Sequence, residues 1–146
     1  MSVSSGRIDG AMHVYPVRVY YEDTDAVGIV YHSNYLKYAE RARTEMLRLA
    51  GVNQSEMATR YGMNFAVRDC TVQFRRPARL DDIIEVRSRL IELGGASITA
   101  EQAICRDAEE LARLVLRVAC LRPDGRATRI PDPVRAALTP YTGSQE

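Results

Sequence analysis

The sequence predicts an α+β chain in which one antiparallel sheet packs against one principal helix. Three observations carry this. Apolar residues recur at helical spacing from Tyr35 to Leu49; beyond Gly62 the pattern changes to alternation of apolar and polar residues; and no further long helical pattern separates the alternating stretches. Strands that follow one another through short turns pair antiparallel.

The start, MSVSSGRIDGAMH, carries no periodic pattern, so residues 1–13 read as a flexible N-terminal tail. Tyr15 to Tyr21, YPVRVYY, is β-branched and aromatic; a strand there runs directly into the acidic turn EDTDAVG. Ser33 or Asn34 can cap the helix that follows by accepting a backbone hydrogen bond. Tyr35, Ala39, Ala42, Met46 and Leu49 form its apolar face, and Lys37, Glu40, Arg41, Glu45 and Arg48 its polar one. Gly51, which tolerates a left-handed backbone, ends it. Asn53 with Glu56 three positions later has the pattern of a capped second helix, short because Gly62 stops it.

In the alternating region Cys70, Val72 and Phe74 interleave with Thr71, Gln73 and Arg75, and Ile84, Val86 and Leu90 with Glu85, Arg87 and Arg89. These are half-buried strands. Gly94-Gly95 predicts a hairpin into ASITAEQAICR. ELARLVLRVACL, residues 110 to 121, suits a helix by its Ala, Leu and Arg content and a central strand by its near-continuous apolar character; the strand is chosen. Pro123-Asp124-Gly125 turns the chain, and Pro133 opens a terminal helix before Pro140. The domain is thus expected over residues 14–140, with 141–146 a C-terminal tail.

Composition narrows the function. The 146 residues suit a single core, and 20 basic against 19 acidic residues give a net charge of +1, with no broad attraction to nucleic acid. No apolar run approaches the roughly 18 residues of a spanning helix, and the start lacks an export pattern, so a cytoplasmic protein is expected. Cys70, Cys105 and Cys120 have no metal-ligand spacing and are expected to be reduced and buried.

Chemistry concentrates in YYEDTDAVGIVYHSNYLKYAERARTEML, residues 20 to 47. Glu22, Asp23 and Asp25 crowd the passage from strand to helix, where repulsion and partial burial raise a carboxyl pKa. Taken alone, such a turn is more often just a solvated acidic loop. Here Gly28 permits close backbone approach, and the N–H groups from His32 to Asn34 stand at a helix start, whose unpaired donors can hold an oxyanion. A carboxylate and an oxyanion site are the two parts acyl transfer needs. A calcium loop fails because Val27 and Asn34 occupy ligand positions, and a metal site on Asp25 and His32 fails because His13 is the only other histidine. No metal is expected. No GxSxG elbow supports a serine nucleophile.

The run VYYEDTDAVGIVYHSNYLKYAERARTEML resembles the signature of the 4-hydroxybenzoyl-CoA thioesterase family, especially its YbgC-like branch of Tol-Pal-associated acyl-CoA thioesterases. A weaker likeness continues through FRRPARLDD, residues 74 to 82. The resemblance implies a hotdog fold, an antiparallel sheet wrapped around one long central helix, with active sites at the interface of a homodimer that often pairs into a homotetramer. It implies acyl-CoA as substrate, no cofactor, Asp25 as the catalytic carboxylate and the His32 N–H as the donor to the thioester carbonyl. The His32 ring is either a positioning group for water or carbonyl, or a structural hydrogen-bonding group.

Gly28, Tyr31 and Tyr35 are the candidate pocket residues, although both tyrosines also suit plain packing. Arg75 and Arg76 are the candidates for CoA phosphates, against their default as solvated surface groups. The alternatives are an acyl carrier protein as substrate carrier, peripheral membrane association, or a non-catalytic acyl-CoA-binding dimer. A hotdog dehydratase or hydratase is disfavoured, since its histidine patterns are absent and Asp25 precedes His32 by seven residues.

Overall fold

In a computed structural model, which describes residues 4–143, the elements are β1 (Arg7–Asp9), β2 (Met12–Arg18), α1 (His32–Leu49), α2 (Gln54–Glu56), β3 (Asn64–Phe74), β4 (Ile83–Leu93), β5 (Ser97–Arg106), β6 (Glu109–Leu121) and α3 (Asp132–Leu138). The strands form one antiparallel sheet in the order β1-β2-β4-β5-β6-β3. α1 crosses β2, β4 and β5. This is the hotdog fold that the resemblance implied.

Alternation explains the packing. β4 buries Ile84, Val86, Ser88 and Leu90 on one face, and β5 sets Ile104, Gln102 and Ala100 directly opposite the last three of them. Tyr35, Tyr38, Ala39, Ala42, Met46 and Leu47 of α1 close over that face in a single apolar cluster. The buried polar pair Ser88 and Gln102 is satisfied internally: Gln102 Nε2 donates to Ser88 Oγ and to the Ala39 carbonyl, both at 2.9 Å, and its Oε1 accepts from Arg43 Nη1 at 2.8 Å.

α1 ends in a Schellman turn, with Gly51 N–H donating to the Arg48 carbonyl and Val52 N–H to the Leu47 carbonyl. The turn brings Val52 into the core beside Leu47 and leaves Leu49 outside at 45% exposure, so the predicted apolar face is off by its last residue. α2 is capped as expected, Asn53 Oδ1 accepting from the Glu56 N–H at 3.0 Å, and it widens into a π-helical turn that Gly62 ends. β6 is a strand, and α3 opens with Pro133 in its first turn.

Other expectations are corrected. The stretch predicted as tail contains β1 and the first residues of β2, because Arg7 to Asp9 pair with Val14 to Met12 and bury His13 completely. Residues 1–3 and 144–146 of the two predicted tails lie outside the described residues, but Tyr141 is buried in the core. The first long strand stops at Arg18, after which Tyr21–Asp23 forms a 3-10 turn. Of the cysteines, Cys105 and Cys120 are buried, whereas Cys70 is exposed because β3 is an edge strand with one neighbour.

Candidate active site

The acidic turn folds back on itself through its own backbone. Asp25 N–H donates to the Ile29 carbonyl at 2.8 Å and Gly28 N–H to the Asp25 carbonyl at 3.1 Å, a closure that needs the left-handed φ of +82° at Gly28. Asp25 Oδ1 accepts from the Val27 N–H at 2.9 Å and the Ile29 N–H at 3.4 Å. Its Oδ2 accepts nothing from the described residues. The carboxylate is therefore fixed by one oxygen and presents the other from an exposed loop tip.

A second set of bonds ties this loop to the helix. The Asp23 carbonyl accepts from the Tyr31 N–H at 3.0 Å and from Asn34 Nδ2 at 2.8 Å, while Asp23 Oδ2 accepts from the Tyr20 N–H at 2.9 Å. Val30 N–H donates to the Ala78 carbonyl, which anchors the loop to the segment between β3 and β4. Neither predicted cap operates: Tyr31 is the N-cap residue without a side-chain bond, and Asn34 spends its amide on Asp23. The His32 N–H, at the first position of α1, has no acceptor among the described residues and stands at the positive end of an 18-residue helix.

The His32 ring lies 4.4 Å from the Tyr31 ring and 6.3 Å, edge on, from Phe74. It makes no hydrogen bond to a described residue. Tyr31 is half exposed beside it. Tyr35, offered as a pocket residue, is a core residue instead: it is 3% exposed, its hydroxyl accepts the Ala78 N–H at 2.9 Å, and burial raises its pKa. Tyr38 is buried below it with no hydrogen-bond partner for its hydroxyl among the described residues. Burial first and the nearby Asp23 carboxylate second hold its pKa well above the usual tyrosine range.

Arg75 and Arg76 directly follow Phe74, so they stand beside the site with exposed side chains paired to Glu110 at 2.9 Å and Glu109 at 3.2 Å. Glu109 also meets Arg106, which holds Asp82. Asp23, Asn34 and Phe74 are the site residues that sequence reading missed as such. Asn34 and Phe74 had been assigned to a cap and to a buried row, and nothing local to the sequence marks their actual contacts. Among the described residues no three His, Cys, Asp or Glu side chains come together in a way that could hold a metal ion.

Comparison with known proteins identifies the family. Residues 19–138 match the profile of the thioesterase-like superfamily. The chain is 41% identical over 107 residues to the acyl-CoA thioesterase YbgC of Haemophilus influenzae, covering 73% of this chain and 79% of that protein. It is 44% identical over 117 residues to the acyl-CoA thioester hydrolase YbgC of Escherichia coli O6:H1, covering 75% and 81%. The crystal structure of a probable thioesterase from Bartonella henselae superposes with a TM-score of 0.78 at 34% identity, over 82% of this chain and 99% of that one. The carboxylate loop braced against a free helix N-terminus thus sits in a chain that belongs to the thioesterase-like superfamily and is a thioester hydrolase.

Proposed function

We propose that this chain hydrolyses acyl-CoA to a free acid and CoA, with Asp25 as the catalytic carboxylate and the His32 N–H as the donor to the thioester carbonyl. The observation that carries this reading is the pair of hydrogen bonds that the Tyr31 N–H and the Asn34 amide donate to the Asp23 carbonyl, which ties the Asp25 loop to the helix end presenting that donor. The YbgC relatives supply the substrate class.

As the carbonyl oxygen gathers negative charge it is held by the N–H and the helix end. Asp25, through its unused Oδ2, either takes a proton from water as the resulting hydroxide attacks the carbonyl carbon, or attacks that carbon itself to give an anhydride that water then opens. In both routes the C–S bond breaks and the CoA thiolate leaves. A preorganised donor of this kind is worth about 2.7 to 4 kcal/mol in the transition state, and a general base roughly a hundred- to ten-thousand-fold. Arg75 and Arg76 pair with CoA phosphates by exchanging their surface carboxylates, partners worth little in water. Gly28, without a side chain, leaves room for the thioester, and Tyr31 forms a wall.

The working unit is a homodimer. Asp25 and His32 are both exposed, and Tyr31 and Phe74 beside the His32 ring stay 49 and 54% exposed, with Val27 of the same loop at 75%. Exposed apolar surface on that scale marks an interface. The 11-residue β3 has an open outer edge next to it, where a second copy extends the sheet and encloses the site.

The test is thiol release from acyl-CoAs of graded length and from benzoyl-type CoAs. Wild type should turn over at least one class, and a folded Asp25→Asn should lose at least a hundredfold. Full activity in that variant would refute the assignment.

A further inference from the structure

Side chains of α1 and β3 approach one another at three places along the two elements. At one end Phe74 meets His32 and Tyr35. Farther along, the Cys70 thiol comes near enough to Arg43 to feel its charge. At the other end Phe65 and Val67 of β3 and Met46 and Leu47 of α1 line a cavity of about 300 Å³, with Arg43 in its wall. Arg43 lies 11 residues beyond His32, close to three full helical turns, so both occupy the same face of α1 about 16 Å apart.

Arg43 is an unusual lining for such a space. Its Nη1 donates to Gln102 Oε1 at 2.8 Å, and Gln102 is itself locked by Ser88 and the Ala39 carbonyl. Arg43 makes no further hydrogen bond and no salt bridge among the described residues, although the Glu40 carboxylate on the cavity rim is near enough to favour its charge. Burial disfavours its charged form. A guanidinium oriented by a buried amide, with donors to spare beside a largely apolar cavity, is suited to recognise an oxygen acceptor.

We infer that Arg43 recognises an oxygen at the far end of the acyl group, so that the enzyme selects medium-length acyl chains ending in a hydroxyl or carboxylate over plain alkyl chains of equal length. The inference rests on the thioesterase reading above, since the thioester end must sit at His32 for the far end to reach the cavity. The apolar walls take the methylenes, and Arg43 takes the terminal oxygen that they would otherwise strand.

The experiment compares decanoyl-CoA, ω-hydroxydecanoyl-CoA and sebacyl-CoA as substrates, and their non-hydrolysable thioether analogues as ligands by calorimetry, using wild type, Arg43→Met and Arg43→Lys. Wild type should favour an oxygenated chain by roughly tenfold to a hundredfold in kcat/KM and in Kd, the value of a hydrogen bond to a charged group. Arg43→Met should bring that chain down to the level of decanoyl-CoA, and Arg43→Lys should keep part of the preference. Preference for sebacyl-CoA alone assigns a carboxylate, and for the hydroxy chain alone a neutral acceptor. Equal treatment of all three chains by wild type, or an equal loss on all three in Arg43→Met, overturns the inference. Preferential binding of oxygenated thioethers without hydrolysis of any ester would uphold it and refute the hydrolase assignment instead.

Discussion

The side-chain amide of Asn34 donates to the main-chain carbonyl of Asp23 across 2.8 Å, joining the first turn of the long helix to the loop that carries the Asp25 carboxylate. The Tyr31 N–H shares the same acceptor. One carbonyl thereby ties the Asp25 loop to the helix end that presents the His32 N–H.

Asn34→Ala should lower kcat by about tenfold to a hundredfold, the cost of a small misplacement of catalytic groups. Stability should fall by only about 1 kcal/mol, since the Asp23 carbonyl keeps Tyr31. Steady-state kinetics beside urea unfolding separates the two; a loss of stability without loss of kcat would show that the bond is merely structural.

Tyr35→Phe should behave in the opposite way. It leaves the buried Ala78 N–H without its acceptor and should cost about 1 to 3 kcal/mol of stability, with kcat/KM hardly altered below the unfolding temperature. A raised KM would return Tyr35 to the acyl pocket.

Replacing Arg75 and Arg76 together by Ala should raise KM for CoA esters several-fold while kcat holds, and should weaken the salt dependence of KM. Kinetics at two ionic strengths reads this directly, and an unchanged KM would leave both arginines as surface groups.

His13 sets a pH dependence of stability. It is fully buried between the N-terminal segment and α1, with Nε2 2.6 Å from the Ser5 carbonyl, Nδ1 unpaired among the described residues, Tyr15 stacked nearby and Glu45 the one charge near it. Burial, the largest cause, lowers its pKa below 6.5, the Ser5 carbonyl and Glu45 opposing. The unfolded chain therefore binds the proton more readily. Stability from this group is complete above pH 6.5, falls as the pH drops below that value and levels off beneath the lowered native pKa. The slope should not exceed about 1.4 kcal/mol per pH unit, and unfolding midpoints of wild type and His13→Phe across pH 5 to 8 should differ by that slope.

The long helix, its glycine stop, the capped second helix and the β4–β5 hairpin were all legible, because each depends on neighbours within a few residues. The near-continuous apolar run of β6 resolves as a strand only once β5 and β3 flank it. What stayed hidden depends on distance along the chain. His13 lies in a polar stretch and is buried only because Arg7 to Asp9 fold back over it and Ser5 reaches Glu45, 40 residues away. Phe74 and Cys70 alternate like buried residues, yet their strand lies at an edge, a fact of topology rather than of pattern. Gln102 meets Arg43 across 59 residues, and nothing in ASITAEQAICR distinguishes that glutamine from an exposed one.

The two ends of the sheet are unequal, and this limits growth. β1 is three residues long and stops at the turn around Gly10, which makes it a poor template for another strand, whereas β3 offers eleven residues. A copy that pairs along β3 uses the same strand on both sides, and only the blunt ends then remain outward. If two copies pair along β3 as proposed, association through the sheet closes at two chains, because the three-residue β1 left outward is too short to template another strand.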